Sequence, residues 1–326
     1  MRAGTALGQG QALGRLRGLL TPTTGAYLAL LALLVASAVA SPAFLRPDNL
    51  VNIARQAVPL GIVALGETIV ILVGGLDVSV GAVITLTTAV TASVMASSNA
   101  RVLPTVALVL AIGLAVGAIN GVLVAVLRAD PFVTTLASML ILRGATLVYT
   151  QGAPRSNLTP GFREISEGDF LGLPISLYAF SLLFLAAWFA LRRTVWGRRV
   201  YAVGANVRAA RLSGQPTMRV EISAYVLCSL LAAVAGLFLV ARLGSGDVNA
   251  GSGFELNAIA AALIGGTAFG GGRGGVAGTL AGVLVMTTLI NLVSLLALPN
   301  FVQLIVRGVV VVLGVALYSR RSSART

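Results

Sequence analysis

The sequence predicts an all-α polytopic membrane protein with about ten transmembrane helices and a short cytoplasmic helix, and three observations carry that expectation. Hydrophobic residues make up 57% of the 326 and charged residues only 10%, well below the quarter usual in soluble domains. The mean hydropathy is +0.95. The apolar residues also gather into runs of about 20, the length that crosses about 30 Å of hydrocarbon.

Taken in order, the runs predict spans near 25–41, 57–73, 80–97, 105–127, 132–150, 174–191, 221–242, 256–271, 276–297 and 300–318. Residues 1–24 then form a cytoplasmic N-terminal segment, 25–318 a single transmembrane domain and 319–326 a cytoplasmic tail. Arginine placement orients the chain. With both termini inside, fifteen Arg fall on the cytoplasmic side and six outside, while Arg143 and Arg307 lie within predicted spans. Ala38-Val39-Ala40 before Ser41 resembles a signal-peptidase site, but the first span is expected to be retained, and its loss would leave the later orientations unchanged. The longest external loop, 151–173, carries Pro154, Pro160, Glu164, Glu167 and Asp169 and reads as a cap with a short helix.

The composition excludes several function classes. All 23 basic residues are Arg, and Lys and His are absent, which removes the P-loop lysine, the Schiff-base lysine and the histidine general base. Energy from ATP would have to be supplied by another chain. Cys228 is the one cysteine and sits in an apolar run, where it reads as a small buried hydrophobe. No cofactor, no metal and no catalytic residue is expected. The net charge of +13 follows the positive-inside pattern and does not call for nucleic acid.

Four polar constellations interrupt the apolar runs. The first is Gly66-Glu67, followed by Gly74-Gly75-Leu76-Asp77-Val78-Ser79-Val80-Gly81. Its glycines fit either a broken helix facing a pathway or a tight turn in which Asp77 caps the next helix. Glu67 lies inside a span, so it needs a partner, Arg143 or Arg307, or a cavity holding a hydroxylated solute. The second, Gly244 to Asn257, sets Asp247, Asn249, Glu255 and Asn257 among Gly and Ser. It reads as a solvated loop with a helix cap or as a set of sugar-binding groups. The third, Gly265 to Gly275, resembles a phosphate cradle but joins two spans without a Lys, so close backbone packing or a hinge is the better account.

The fourth is the loop 192–219, with seven Arg and no acidic residue. Gly204 and Gly214 bracket a predicted short helix with Asn206 as N-cap. Ala209 and Ala210 would let it seat closely in a groove, and Arg208 and Arg211 could pair with a partner's carboxylates. The loop also suits the plain role of fixing topology.

Together these strings resemble the permease subunit of ribose-type ABC importers. The Gly74–Gly81 run is similar to that family's Gly-Gly-Ile-Asp-Leu-Ser-Val-Gly motif, with Leu76 and Val78 as departures. Pro131, Phe132, Thr135, Leu136, Arg143 and Gly144 match a second motif. Thr194, Gly197, Arg198, Tyr201, Ala202, Gly204, Asn206, Ala209, Ala210, Ser213 and Gly214 match a third, with Gln215 where an aliphatic residue is usual. Gly253, Glu255, Leu256, Ile259, Ala260, Ala261, Gly265 and Gly266 match a fourth.

The resemblance implies a permease in the bacterial cytoplasmic (inner) membrane that moves a sugar or similar small hydroxylated solute. It further implies a second permease subunit, often identical, a cytoplasmic ATP-binding-cassette ATPase and an extracytoplasmic solute-binding protein. The loop 192–219 would supply the coupling helix, with Tyr201, Gly204, Asn206, Arg208, Ala209, Ala210, Arg211, Ser213 and Gly214 facing the ATPase. Glu67, Asp77, Ser79, Glu255 and Asn257 are the candidate pathway residues. The alternative is a stand-alone secondary transporter in which Glu67 or Asp77 binds a proton.

Overall fold

The structure is a computed structural model that describes residues 21–299 together with 301, 302, 305, 308 and 309. Among the described residues its regular secondary structure is helix apart from one two-stranded ribbon. Each of the first nine predicted spans overlaps a helix, and seven helices among the described residues are long and apolar enough to cross a membrane. The segment 300–318 and the two predicted terminal segments fall largely or wholly outside the described residues.

Helix α1 (Pro22–Ala40) opens the bundle with Thr21 as its cap, the hydroxyl accepting the Thr24 amide at 3.2 Å. Helix α2 (Pro47–Leu72) is the central element, buried along nearly all of its second half. Pro59 sits inside it without ending it, since a membrane helix with neighbours on every side can absorb the lost hydrogen bond. Helix α3 (Val80–Met95) is buried as well. Helix α4 (Val102–Ala125) sets Gly113, Gly117 and Gly121 in one row against α10 (Thr217–Leu243). A Cβ at Gly117 would lie 2.6 Å from the Tyr225 carbonyl. Lipid tails supply no hydrophobic drive between helices, so this backbone approach supplies the packing that joins them.

Helix α5 (Pro131–Thr150) packs mainly on α3 and α4 and leaves much of its surface open. The external cap contains the predicted short helix, α6 (Pro160–Glu167), capped by Thr159, and a ribbon of β1 (Asp169–Phe170) and β2 (Leu173–Pro174). Helix α7 (Ile175–Arg193) leads into two short helices, α8 (Val195–Ala205) and α9 (Val207–Leu212). Helices α11 (Phe254–Ile264) and α12 (Val276–Leu295) complete the described bundle.

Two of the nine helices that overlap predicted spans are shorter than a span, and the reason is the same in both. Helix α3 has 16 residues and α11 has 11, about 24 and 16 Å at 1.5 Å per residue. The eighth predicted span, 256–271, is therefore too long, since its helix stops at Ile264 and turns at Gly265-Gly266. An irregular limb precedes each short helix. The limb before α11 runs back along α3: Gly246 lies against Thr88, and the Gly251 amide donates to the Thr85 hydroxyl at 3.1 Å. Gly251 also abuts the Gly81 carbonyl. The N-termini of α3 and α11 thus meet inside the bundle, where irregular backbone is tolerated because protein satisfies it.

Candidate functional sites

Three arrangements stand out, one at the arginine-rich end of the bundle and two inside it. At that end, Asn206 caps α9 as its sequence position predicts, the side-chain carbonyl accepting the Ala209 amide at 2.9 Å. Gly214 closes the helix in the left-handed region at φ +76°. The Gln215 amide reaches the Ala210 carbonyl and the Gly214 amide the Arg211 carbonyl, both at 3.0 Å. This is a Schellman closure made by backbone alone, so Gln215 in place of an aliphatic residue leaves the helix end intact.

The predicted docking set divides by face. Gly204 does not begin the short helix. It lies in the last turn of α8 and against the Leu72 carbonyl and the Gly272 amide, where a Cβ has no room. Ala210 is buried, and Tyr201 donates to the Gly274 carbonyl at 3.1 Å. Burial raises the Tyr201 phenol above its ordinary pKa, with Arg192 pulling the other way, so it remains a donor. These three residues brace the loop against the bundle. Asn206, Arg208, Ala209, Arg211, Ser213 and Gly214 are exposed. Beside them stand Val207 and Leu212, the latter 84% exposed, which the sequence reading passed over. An apolar residue ending a polar, basic helix was the available signal.

Inside the bundle, Glu67, Asp77 and Ser79 are fully buried. The Asp77 amide donates to Glu67 Oε1 at 3.3 Å, and Asp77 Oδ1 accepts the Ser79 amide at 2.9 Å and the Ser79 hydroxyl at 2.5 Å. Asn120 donates to the Ser79 hydroxyl at 3.0 Å and accepts from Ser138 at 2.5 Å. The Thr135 hydroxyl accepts the Val78 amide at 3.2 Å. One polar chain therefore ties the turn between α2 and α3 to α4 and α5. The expected capping of α3 by the Asp77 carboxylate does not occur: the cap position is Ser79, with no side-chain cap bond, and Asp77 Oδ1 instead holds Ser79 in the turn before the helix. The expected pairing of Glu67 with Arg143 does not occur: Arg143 bonds Glu255, and Glu67 meets the Cys228 thiol at 3.7 Å. Arg307 lies outside the described residues. Asn120 was missed because a lone Asn in a glycine-rich span carries no motif.

The second internal arrangement is the Arg143–Glu255 pair at 3.2 Å. Glu255 stands in the first turn of α11, close to Gly81 in the first turn of α3. Both helix N-termini carry partial positive charge there, which suits a carboxylate. Asn257 is buried nearby on α11, whereas Asp247 is spent locally on the Asn249 amide at 2.7 Å. The glycine loop 265–275 packs as expected: Gly265 lies on Gly278, and the Gly272 amide donates to the Leu72 carbonyl at 2.9 Å. No cluster of metal-ligating side chains occurs among the described residues.

A bundle of apolar helices with short, internally meeting helices and an exposed basic helix at one end defines an all-α, multi-pass membrane protein. The model of the family described as branched-chain amino acid transport system / permease component matches residues 49–315, and the chain belongs to that family. It is 43% identical to the ribose import permease protein RbsC of Bacillus subtilis (strain 168) over 301 residues, covering 92% of this chain and 93% of that one. The RbsC protein of Escherichia coli (strain K12) is 42% identical over 90% of this chain and 92% of its own. The L-arabinose ABC transporter permease protein AraH of Azospirillum brasilense is 32% identical over 93% and 89%. No solved structure matches the chain.

Proposed function

We infer that this chain is the transmembrane subunit of an ATP-binding-cassette importer and forms the path for a sugar or similar small hydroxylated solute. The observation that carries the reading is identity of about 40% across nine-tenths of the chain to permeases of ribose import. The partners are a cytoplasmic ATPase, an extracytoplasmic solute-binding protein and a second permease subunit, taken as a copy of this chain. Both termini and the loop 192–219 face the cytoplasm, in keeping with the arginine distribution.

The physical account is two-state alternating access. Nucleotide-driven closure of the ATPase has to favour one packing of the helices by several kcal/mol to shift the population decisively. Helix α9 offers the surface on which that work acts, through Arg208, Ala209, Arg211 and Leu212. Gly204 and Tyr201 transmit it, because α8 rests on the end of α2 and on the loop between α11 and α12. Glu67, Asp77 and Ser79 serve as the tether that moves the α2–α3 turn with α4 and α5, while Glu255 and Asn257 stand nearer the path.

Reconstitution tests the assignment. The chain, the ATPase and the solute-binding protein together in proteoliposomes should take up sugar only with ATP and only when all three are present. Gradient-driven uptake by the chain alone would replace the importer with a secondary transporter.

A further inference from the structure

Arg143 occupies an unusual place for a charge. It lies twelve residues into α5 and seven from its end at Thr150, about 10 Å from the nearer end of the helix and so within the hydrocarbon. Its side chain is nevertheless 38% exposed. A guanidinium exposed to lipid at that depth is costly, and such residues face a water-filled cavity or another chain. Only one of its five N–H groups has a partner among the described residues, the contact at 3.2 Å to Glu255 Oε1.

Glu255 holds that guanidinium in place. The residue is 8% exposed, its Oε2 is buried without a hydrogen-bond partner, and that oxygen points at Gly81. The carboxylate is thus wedged where the N-termini of α3 and α11 converge. Two helix ends and one Arg stabilise its charge, and α5 and α11 present the pair toward the open side of α5.

We propose that Arg143 and Glu255 form a sugar-contacting site in the translocation path, with the free N–H groups of the guanidinium donating to adjacent hydroxyl oxygens of the solute. This rests on the importer reading above. The planar fork of a guanidinium matches two neighbouring oxygens. Because Glu255 already balances its charge, the matching ligand is a neutral polyol and not an anion. Transient binding suits a permease, since a deep well would hinder release.

The native chain supplies its own test, because its one cysteine, Cys228, is buried. Within this subunit, read separately from its partners in the complex with ATPase and binding protein, Arg143→Cys therefore carries the one accessible thiol. A charged, membrane-impermeant methanethiosulfonate should modify it at least tenfold faster than Ile141→Cys, which is exposed on another face of α5. Saturating ribose delivered by its binding protein should slow modification of Leu147→Cys, which is exposed one turn along the same face and leaves Arg143 intact, at least threefold. Separately, Arg143→Lys should lower uptake at saturating ribose at least tenfold while the variant still co-purifies with the ATPase. Modification of Arg143→Cys no faster than of Ile141→Cys, modification of Leu147→Cys that sugar does not slow, or wild-type uptake by Arg143→Lys would each overturn the proposal. If the wild-type complex itself imports no sugar, the importer reading fails instead.

Discussion

The carbonyl of Leu72, the last residue of α2, accepts the amide of Gly272 at 2.9 Å, and Gly204 is pressed against the same carbonyl. Three chain reversals thus share one point: the end of α2, the end of α8 and the loop before α12. A side chain at 204 cannot enter without separating them. Gly204→Leu should therefore lower the stability of the whole chain by about 1–3 kcal/mol, the usual cost of overpacking, and reduce the yield of inserted protein. Thermal unfolding in detergent checks this. A variant as stable as wild type that merely lost ATPase affinity would show that Gly204 is a docking residue after all.

The outward face of α9 should behave in the opposite way. Arg208, Arg211 and Leu212 are exposed, so Arg208→Glu with Arg211→Glu should leave the unfolding temperature within a degree or two. Reversed charges opposite a partner's carboxylates cost several kcal/mol of association, and each 1.4 kcal/mol is tenfold in affinity. Pull-down of the ATPase and sugar-stimulated ATP turnover should both fall at least tenfold. Unchanged turnover would move the interface elsewhere.

The membrane bundle was legible because a span declares itself by a run of apolar residues, and nine such runs overlap helices over 21–299. Asn206 and Gly214 were legible for a similar reason, since caps are local chemistry. What pattern could not reveal is which side of a residue meets its neighbour. Ala210 and Arg208 look equally available in a basic loop, yet only Ala210 is buried. Arg143 and Glu255 lie 112 positions apart, and their pairing depends on α11 starting deep inside the bundle. That start follows from the limb over 244–253 folding back along α3, a tertiary event with no periodicity to announce it.

Glu67 tests whether a buried carboxyl acts as a proton carrier or as an acceptor. It receives the Asp77 amide through Oε1, a bond that an amide oxygen can also accept. Glu67→Gln should therefore retain at least half of ATP-driven uptake. Glu67→Leu strands the Asp77 amide in a buried site, which should cost about 1–3 kcal/mol and appear as lower thermal stability. Abolished transport in a stable Glu67→Gln protein would instead indicate that the carboxyl must titrate, reviving proton coupling.

Tyr201 yields a prediction about pH. Its hydroxyl donates to the Gly274 carbonyl at 3.1 Å, and burial raises its pKa, with Arg192 opposing. A group whose folded pKa lies above its unfolded value contributes fully below the unfolded value, about 10 for tyrosine, and loses that contribution as pH rises through the folded value. Tyr201→Phe should therefore destabilise the chain by about 1 kcal/mol, and by the same amount at every pH from about 6 to 9. The difference should shrink only in strong alkali, where the wild-type phenol ionises and its donated proton is lost. Unfolding temperatures of the two proteins measured in parallel across that range decide the point. A gap that opens or closes near neutrality would mean that some other titrating group, and not the phenol proton, ties α8 to the loop before α12.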